Sequence, residues 1–354
     1  MSKVITFYNH KGGVAKTTNV FNLAQFIADS GNKVLVVDAD PQCNATELLL
    51  AERLNEMDEK ESTTHEEQIL PGTSLLDIMK PRIEGAVPEI NIEEIEVINI
   101  RDNLDLIKGD VALTSIEDAL SEAHSQRHAT KTHERRTYCA FGDLLTRFGD
   151  KNNYDYILID LGPSSGALTR SCFLACDAFY IPVNPDRFDV QAISTLSEII
   201  DRWMAEHAEI YGTYKNVGLP IKHGKPQFLG LAIQNLKMVN GRPKPGFKMW
   251  VDRIPQKAIS NLFPVLQNHS DSDHDLLFNI DSKSLVAAEV PDFGSLAPLM
   301  QEFGKAVYSI TRDDTKRATE TGISWGGATW NDAQRRMEKY KGVYSKMYDR
   351  LEWI

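Results

Sequence analysis

Cysteine is scarce in this chain, with four residues in 354. That excludes a small disulfide scaffold and points to a reducing compartment, the cytoplasm. Long hydrophobic runs are missing as well. No stretch approaches the roughly 18–20 consecutive apolar residues that a membrane-spanning helix needs. The opening Met-Ser-Lys-Val-Ile-Thr-Phe reads as a strand and lacks the layout of a signal peptide. Positive charge is in deficit: 39 Lys and Arg stand against 50 Asp and Glu, for a net charge of −11. An acidic total argues against a protein coated for nucleic acid. It leaves room for a local basic patch, because screening limits each patch to about 8–10 Å. Most of the deficit lies in residues 51–100, where thirteen acidic side chains face only Arg53, Lys60, Lys80 and Arg82. No internal repeat is present.

What is present is an alternation of strand and helix patterns. Lys3–Tyr8 reads as a strand, Asn9–Thr18 as a Gly-containing loop, and Thr18–Ser30 as a helix stopped by Gly31. Lys33–Asp38 is a continuous apolar run ending in acid, the pattern of a strand buried on both faces of a parallel sheet. Further strands are expected at Leu104–Lys108, Tyr156–Asp160, Ala178–Val183, Phe228–Ile233 and Leu276–Ile280. Helices are expected at Ser115–His124, Ala140–Phe148, Gln191–His207, Asp252–Gln267 and Leu296–Ser309. Residues 51–100, broken by Pro71, Pro81 and Pro88, read as an acidic surface elaboration. At about 150 residues per domain the length suggests two domains. The alternation nevertheless runs unbroken to about residue 310. The expectation is one doubly wound, mostly parallel α/β domain over 1–311 with helices on both faces, followed by a helical tail over 312–354.

The chemistry sits at the first strand–helix junction, His10-Lys11-Gly12-Gly13-Val14-Ala15-Lys16-Thr17-Thr18. A phosphate-binding loop belongs there, with successive backbone N–H groups and a helix N-terminus facing an anion. Gly12 and Gly13 allow close approach, Lys16 reaches the β- and γ-phosphates, and Thr17 holds Mg²⁺. The standard pattern G-x4-G-K-[ST] fails at His10 and Ala15, which stand where it asks for glycine. A Gly-rich turn before a helix is the plainer alternative.

Lys11 ahead of the two glycines resembles the deviant phosphate loop of the ParA/MinD family of dimeric ATPases. Three later segments, in the right order, extend the resemblance. Asp38-Ala-Asp40-Pro41-Gln42-Cys43-Asn44 is similar to the D-x-D-P-Q-x-N segment of the partition ATPases. Tyr154 to Gly166, followed by Ala175-Cys-Asp177 and Ile181-Pro-Val-Asn-Pro185, resembles the family's metal-binding strand, switch loop and next strand. Ala288-Glu289-Val290-Pro291-Asp-Phe293-Gly294 resembles its late A-E-x-P-x-F-G.

The resemblance implies a P-loop NTPase fold, ATP and Mg²⁺ as ligands, and roles for named residues. Gly12 through Thr18, Val14 and Ala15 included, would cradle the phosphates. Thr17, Asp38 and Asp160 would form the metal site, Asp160 through water. Asp40 would orient the attacking water. Lys11 would reach the partner subunit's nucleotide, so that dimerisation depends on ATP. An amide near Gln234 or Asn235 and the backbone around Pro291 would read adenine. Partners implied are a second copy, non-specific DNA and a ParB-class centromere-binding protein, in a nucleoid-associated cytoplasmic setting. The chain departs from the family at Ala15 and Cys43, where glycine is usual or frequent, and at Gly162, where proline is frequent. A methyl at Ala15 crowds the phosphate or sits at positive φ, the latter costing about 1–2 kcal/mol.

Other constellations are weaker. Cys172 and Cys176 have helical i, i+4 spacing and read as small buried apolar residues rather than metal ligands. His124, His128 and His133, among Arg127, Lys131, Arg135 and Arg136, read as a solvated basic helix face. Lys237, Arg242, Lys244, Lys248, Arg253 and Lys257, interleaved with Phe247 and Trp250, form a candidate DNA-phosphate surface that Lys305, Arg312, Lys316 and Arg317 could extend; an ordinary solvated loop is the alternative. In the tail, Met337, Tyr340, Tyr344, Met347 and Leu351 make an apolar stripe on a helix expected to start at an Asn331 cap. That stripe suits packing on the protein's own body, docking to a partner, or, least well given Glu338, Asp349 and Glu352, a membrane surface. The leading expectation is a ParA-type partition ATPase. The rivals are a related positioning ATPase for a non-DNA cargo or membrane, and an ATP-binding regulatory module.

Overall fold

The computed structural model describes the chain except residues 67, 237, 240, 241, 244, 320 and 321, and except the side chains of 237–245. Eight strands form one sheet: β1 (Lys3–Phe7), β2 (Val34–Ala39), β3 (Ile98–Arg101), β4 (Leu104–Ile107), β5 (Tyr156–Leu161), β6 (Ala178–Val183), β7 (Gln227–Leu236) and β10 (Val286–Pro291), with a two-stranded ribbon of β8 (Met238–Val239) and β9 (Arg242–Pro243) between the last two. The order across the sheet is β10-β7-β6-β1-β5-β2-β4-β3. Every pairing in it is parallel except β3 with β4 at the edge.

Strand alternation divides the interior into two apolar layers. Val4, Leu35, Val37, Ile157, Ile159, Phe179 and Ile181 face one side. There they pack against α4 (Leu75–Ile83), α5 (Glu117–Ser125), α6 (Thr132–Asn152), α7 (Ala167–Ala175), α8 (Arg187–Asn216) and α9 (Pro245–His269). Ile5, Phe7, Val34, Val36, Leu158 and Tyr180 face the other. They meet α1 (Lys16–Asp29), α2 (Asn44–Leu49), α10 (Leu296–Phe303) and α12 (Gly327–Asp349). α3 (Ala51–Thr64), which touches the second layer through Leu54, and the short α11 (Arg312–Arg317) lie at the margin of these layers. The doubly wound, mostly parallel architecture is therefore as expected. Among the described residues no helix is long and apolar enough to cross a membrane.

Several local expectations need correction. Leu276–Ile280 is a run of turns, not a strand; Leu276 still anchors β7 by accepting a hydrogen bond from the Phe228 amide at 2.9 Å. The elaboration over 51–100 is only partly surface. α4 buries Leu75, Leu76, Ile78, Met79 and Ile83, and Ser74 with Asp77 closes a capping box at its start. Pro81 lies inside that helix, so proline did not mark its end. The basic His124–Arg136 stretch is not one solvated helix face either. It spans the end of α5 and the start of α6, and His124 is buried against the Ser171 hydroxyl at 2.9 Å. Cys172 and Cys176 are fully buried, with burial pushing both thiols well up.

The tail helix begins after Gly326 rather than at Asn331. Its stripe of Met337, Tyr340, Tyr344, Met347 and Leu351 packs into the layer that holds α1 and β10. The stripe is thus covered by the protein's own body, which overturns the membrane and partner-docking readings of it.

Candidate active site

The C-terminal ends of β1, β2 and β5 converge on a cavity of about 590 Å³. Its walls are the Gly12–Thr18 loop, Asp40, Gln42, Asn44, Glu47, Leu48, Leu161, Pro163, Met300 and Gln301. The loop leaves β1 through Asn9, whose side chain ties it down on both sides: Nδ2 donates to the Pro182 carbonyl at 2.8 Å, and Oδ1 accepts from the Lys11 amide at 3.0 Å. Gly13 has φ 71° and Ala15 φ 61°. Ala15 is therefore in the left-handed region at the mouth of α1, which accounts for the glycine usual there and places the methyl's cost in backbone strain. Cys43, the second departure, is also left-handed at φ 55°.

Lys16 is buried, and its ammonium donates to the carbonyls of Asn9 at 3.0 Å and Lys11 at 2.9 Å. Burial lowers its pKa, while Asp160 and Asp40 pull the other way. Those two carboxylates and Asp38, which acts on Asp160, form one acidic group. Asp38 Oδ2 accepts from the Thr46 amide at 2.8 Å and hydroxyl at 2.7 Å, and Oδ1 from the Asp40 amide at 3.2 Å. Burial raises it to about 6 against those hydrogen bonds. Asp160 is fully buried at the end of β5, and neither oxygen has a hydrogen-bond partner. Burial first, then Asp38, push its pKa well up, with the Thr17 hydroxyl and Lys16 opposing. Two unpartnered carboxylate oxygens beside a helix-start threonine are a donor set that suits a hard divalent cation.

Asp40 is buried and lines the cavity. Its Oδ1 accepts from the Gln42 amide at 3.0 Å. A Cβ at Gly162 would sit 3.1 Å from that same oxygen. The third departure is thus spatial: Asp40 occupies room that a proline at Gly162 would crowd.

Lys11 does not point into the cavity's phosphate loop. Its ammonium pairs with Asp189 Oδ2 at 2.8 Å and lies 3.9 Å from Asp186 Oδ1, both at the start of α8. Asp189 is buried with its other oxygen unpartnered, and burial pushes it up to about 6 despite Lys11.

Gln234, Asn235 and Pro291 do not line the cavity. They cluster at the ends of β7 and β10, where Pro291 pairs with Leu236. Gln234 is buried and bonded to the Ala232 carbonyl at 3.3 Å. Asn235 is left-handed and reaches the phosphate loop through a relay, donating to Asn184 Oδ1 at 2.8 Å while Asn184 donates to the Gly13 carbonyl at 3.1 Å.

Of the basic candidates, Lys237, Lys244 and the side chain of Arg242 lie outside the described residues. Lys248 and Arg253 are exposed and Lys257 half-exposed on α9. Arg253 lies over the Trp250 ring at 5.3 Å. Lys248 and Lys257 are nine residues apart, about half a turn around the helix, so they flank its exposed face rather than share one line. The later cluster does not extend this surface. Lys305 pairs with Asp314 at 2.6 Å and Arg317 with Glu52 at 2.8 Å, and both lie on the side of the sheet opposite α9.

Sequence reasoning missed Met300 and Gln301 of α10, Asn184 and Asp189. Nothing local marks α10 as a cavity wall, because only tertiary packing brings it there. Asn184 and Asp189 carried a faint signal: both follow a buried strand whose end lies beside β1.

A family model described as an AAA domain matches residues 2–210. The chain belongs to that family, within the ParA/MinD-type P-loop ATPases. It is 33% identical over 201 residues to sporulation initiation inhibitor protein Soj of Bacillus subtilis, a match covering 55% of this chain and 64% of that one. It is 29% identical over 200 residues to chromosome partitioning protein ParA of Caulobacter vibrioides, covering 56% and 62%. These matches span less than two thirds of either relative. Among solved structures, protein DIP2308 of Corynebacterium diphtheriae superposes with a TM-score of 0.63 at 27% identity, covering 85% of this chain and 97% of that one.

Proposed function

We propose that the protein is a Mg²⁺-dependent ATPase whose ATP-bound form pairs with a second copy, binds DNA non-specifically, and moves plasmid or chromosomal DNA with a ParB-class partner. The observation that carries the ATPase reading is that Lys16 and Asp40 line one cavity while buried Asp160, its two oxygens unpartnered, acts on the same ammonium. The partition reading adds the likeness to the Caulobacter protein named for that role.

The family resemblance supplies the roles, and the cavity lining supports those of the phosphate loop and Asp40. The loop amides from Gly12 to Thr18 and the start of α1 bind the phosphates, and Lys16 exchanges its carbonyl partners for phosphate oxygens. Thr17 and Asp160 hold the metal ion, and Asp38, fixed by Thr46, supports that shell. When bound, Mg²⁺ neutralises charge on the β- and γ-phosphates. Asp40 orients water for in-line attack. In this reading the base extends beyond the cavity walls, toward the backbone around Pro291 and an amide near the Gln234–Asn235 corner. Lys248, Arg253 and Lys257, with Lys244, supply the DNA contacts, and such binding falls steeply with salt. The test is ATP hydrolysis with and without DNA and a ParB-class partner. Turnover that neither stimulates, in a protein without affinity for DNA at low salt, favours a related positioning ATPase instead.

Asp40→Ala is expected to keep ATP binding and dimerisation while hydrolysis falls roughly a hundredfold or more, since water loses its positioning group. Steady-state phosphate release checks it; normal turnover would remove Asp40 from the mechanism.

Lys11→Ala is expected to bind ATP but fail to give an ATP-dependent dimer by light scattering. The variant also has a pH signature. The folded pKa of Asp189 is raised above its unfolded value, so the buried carboxylate destabilises the fold progressively as pH rises from about 4 through about 6. Removing Lys11 enlarges that penalty. Relative to wild type, the variant's melting temperature should match at pH 4–5 and drop at pH 8; a pH-independent difference would mean that Asp189 does not hold Lys11.

A further inference from the structure

Two acid-bearing loops border the cavity, and one short segment touches both. At one end of it, the Gly109 amide donates to Thr46 Oγ1 at 2.9 Å, the hydroxyl that itself donates to Asp38. The chain then makes a 3-10 turn over Val111–Ile116, capped by Asp110 and seated on buried Leu113 and Ile116. At the other end, Glu117 places its carboxylate on the free N-terminus of α7. Oε1 accepts from the Ala167 amide at 2.5 Å and Oε2 from the Leu168 amide at 3.1 Å.

α7 has no capping side chain of its own, so Glu117 supplies one from a distant stretch of sequence. A carboxylate there gains from the helix dipole and from charge-assisted hydrogen bonds. Gly166 is shaped to admit it. A Cβ at Gly166 would fall 2.2 Å from Glu117 Oε1, while its φ of −73° asks nothing of glycine.

The loop pinned in this way is the one that follows Asp160. Its Gly162 lies beside Asp40, and its Pro163 lines the cavity and faces Gly12. We propose that Glu117 is a positioning residue for hydrolysis. It fixes the far end of the 162–166 loop, while the Gly109 end of the same segment fixes Asp38 through Thr46. The Gly109–Glu117 segment thereby sets the spacing of the metal-side and water-side carboxylates. This rests on the ATPase reading above.

The test compares wild type, Glu117→Gln and Glu117→Asp. Glutamine keeps the length but turns one acceptor into an NH₂ group facing an amide donor. Aspartate keeps the charge. For Glu117→Gln the expected result is ATP affinity within about twofold of wild type by calorimetry and kcat lowered roughly ten- to a hundredfold, as for a misplaced loop. Hydrogen exchange should become faster in the first turn of α7 and unchanged elsewhere. Glu117→Asp should recover part of kcat. An unchanged kcat alongside faster α7 exchange would overturn the proposal, as would parallel losses of ATP affinity and global protection, which mark a merely structural residue. A wild type that binds but never hydrolyses ATP would instead overturn the ATPase reading, and this inference with it.

Discussion

Replacing Lys16 with alanine is expected to abolish measurable ATP binding while leaving the fold intact. The ammonium is buried, lies on the loop's own carbonyls and is opposed by Asp40 and Asp160. Its loss removes charge-assisted contacts to the phosphates worth roughly 3 kcal/mol or more, about a hundredfold or more in affinity. A second effect adds to the first. Without Lys16, a cation that lowers the pKa of Asp160 is gone, so that carboxylate becomes harder to ionise and, under the proposed role, would hold Mg²⁺ less well. The fold should survive because the ammonium is itself a desolvated group whose pKa burial already lowers, and because α1 is held by Val20, Leu23, Ala24 and Ile27 in the apolar layer. Calorimetric titration with Mg²⁺ and ATP checks this, with circular dichroism as the control. Wild-type affinity in a folded variant would sink the phosphate-loop assignment.

Much of this arrangement was legible in the sequence, for a physical reason. Parallel strands buried on both faces read as continuous apolar runs, and β2, β5 and β6 fall within a residue of where those runs lie. The loop was legible because phosphate chemistry demands glycine, lysine and threonine at fixed spacing. The departures proved informative too. Ala15 and Cys43 adopt the left-handed backbone that glycine usually serves, and Gly162 makes room for Asp40. The illegible parts depend on contacts between distant segments. Leu276–Ile280 has an apolar content fit for a strand, but it meets β7 at two isolated points, the Phe228 amide on the Leu276 carbonyl and the Gln227 side chain on that of Phe278. Helix α4 hides an apolar face inside the most acidic stretch of the chain. Glu117 looks like an ordinary helix-start acid, and only the fold shows that it caps a different helix. The basic cluster from Lys305 to Arg317 invited a surface reading, yet Arg317 and Lys305 are spent on Glu52 and Asp314.

Truncation after Thr311 should be more damaging than any surface change. The removed segment carries Met337, Tyr340, Tyr344, Met347 and Leu351, all buried against α1 and the β10 edge of the sheet. At about 2 kcal/mol for each large apolar side chain, their burial amounts to something on the order of 10 kcal/mol before the entropy of ordering the tail is charged against it. Polar losses compound this. The Tyr180 hydroxyl, fully buried on β6, donates to the Met347 carbonyl at 2.6 Å and would be left unpartnered. Arg350 donates to the carbonyls of Leu229 at 2.6 Å, Ser284 at 2.7 Å and Val286 at 3.1 Å, stitching the chain around β7 and β10. Near the nucleotide end, Tyr340 donates to the Asp292 carbonyl at 2.8 Å and Arg336 to that of Phe293, so the tail also holds the loop after Pro291. The truncated protein is therefore expected to be insoluble, or to melt at least 10 °C below wild type at about 2–4 °C per kcal/mol. Any soluble fraction should bind ATP more weakly than full-length protein, because the loop proposed to contact the base is released. A truncation that melts like wild type and binds ATP normally would show that the tail's contacts add nothing to the fold.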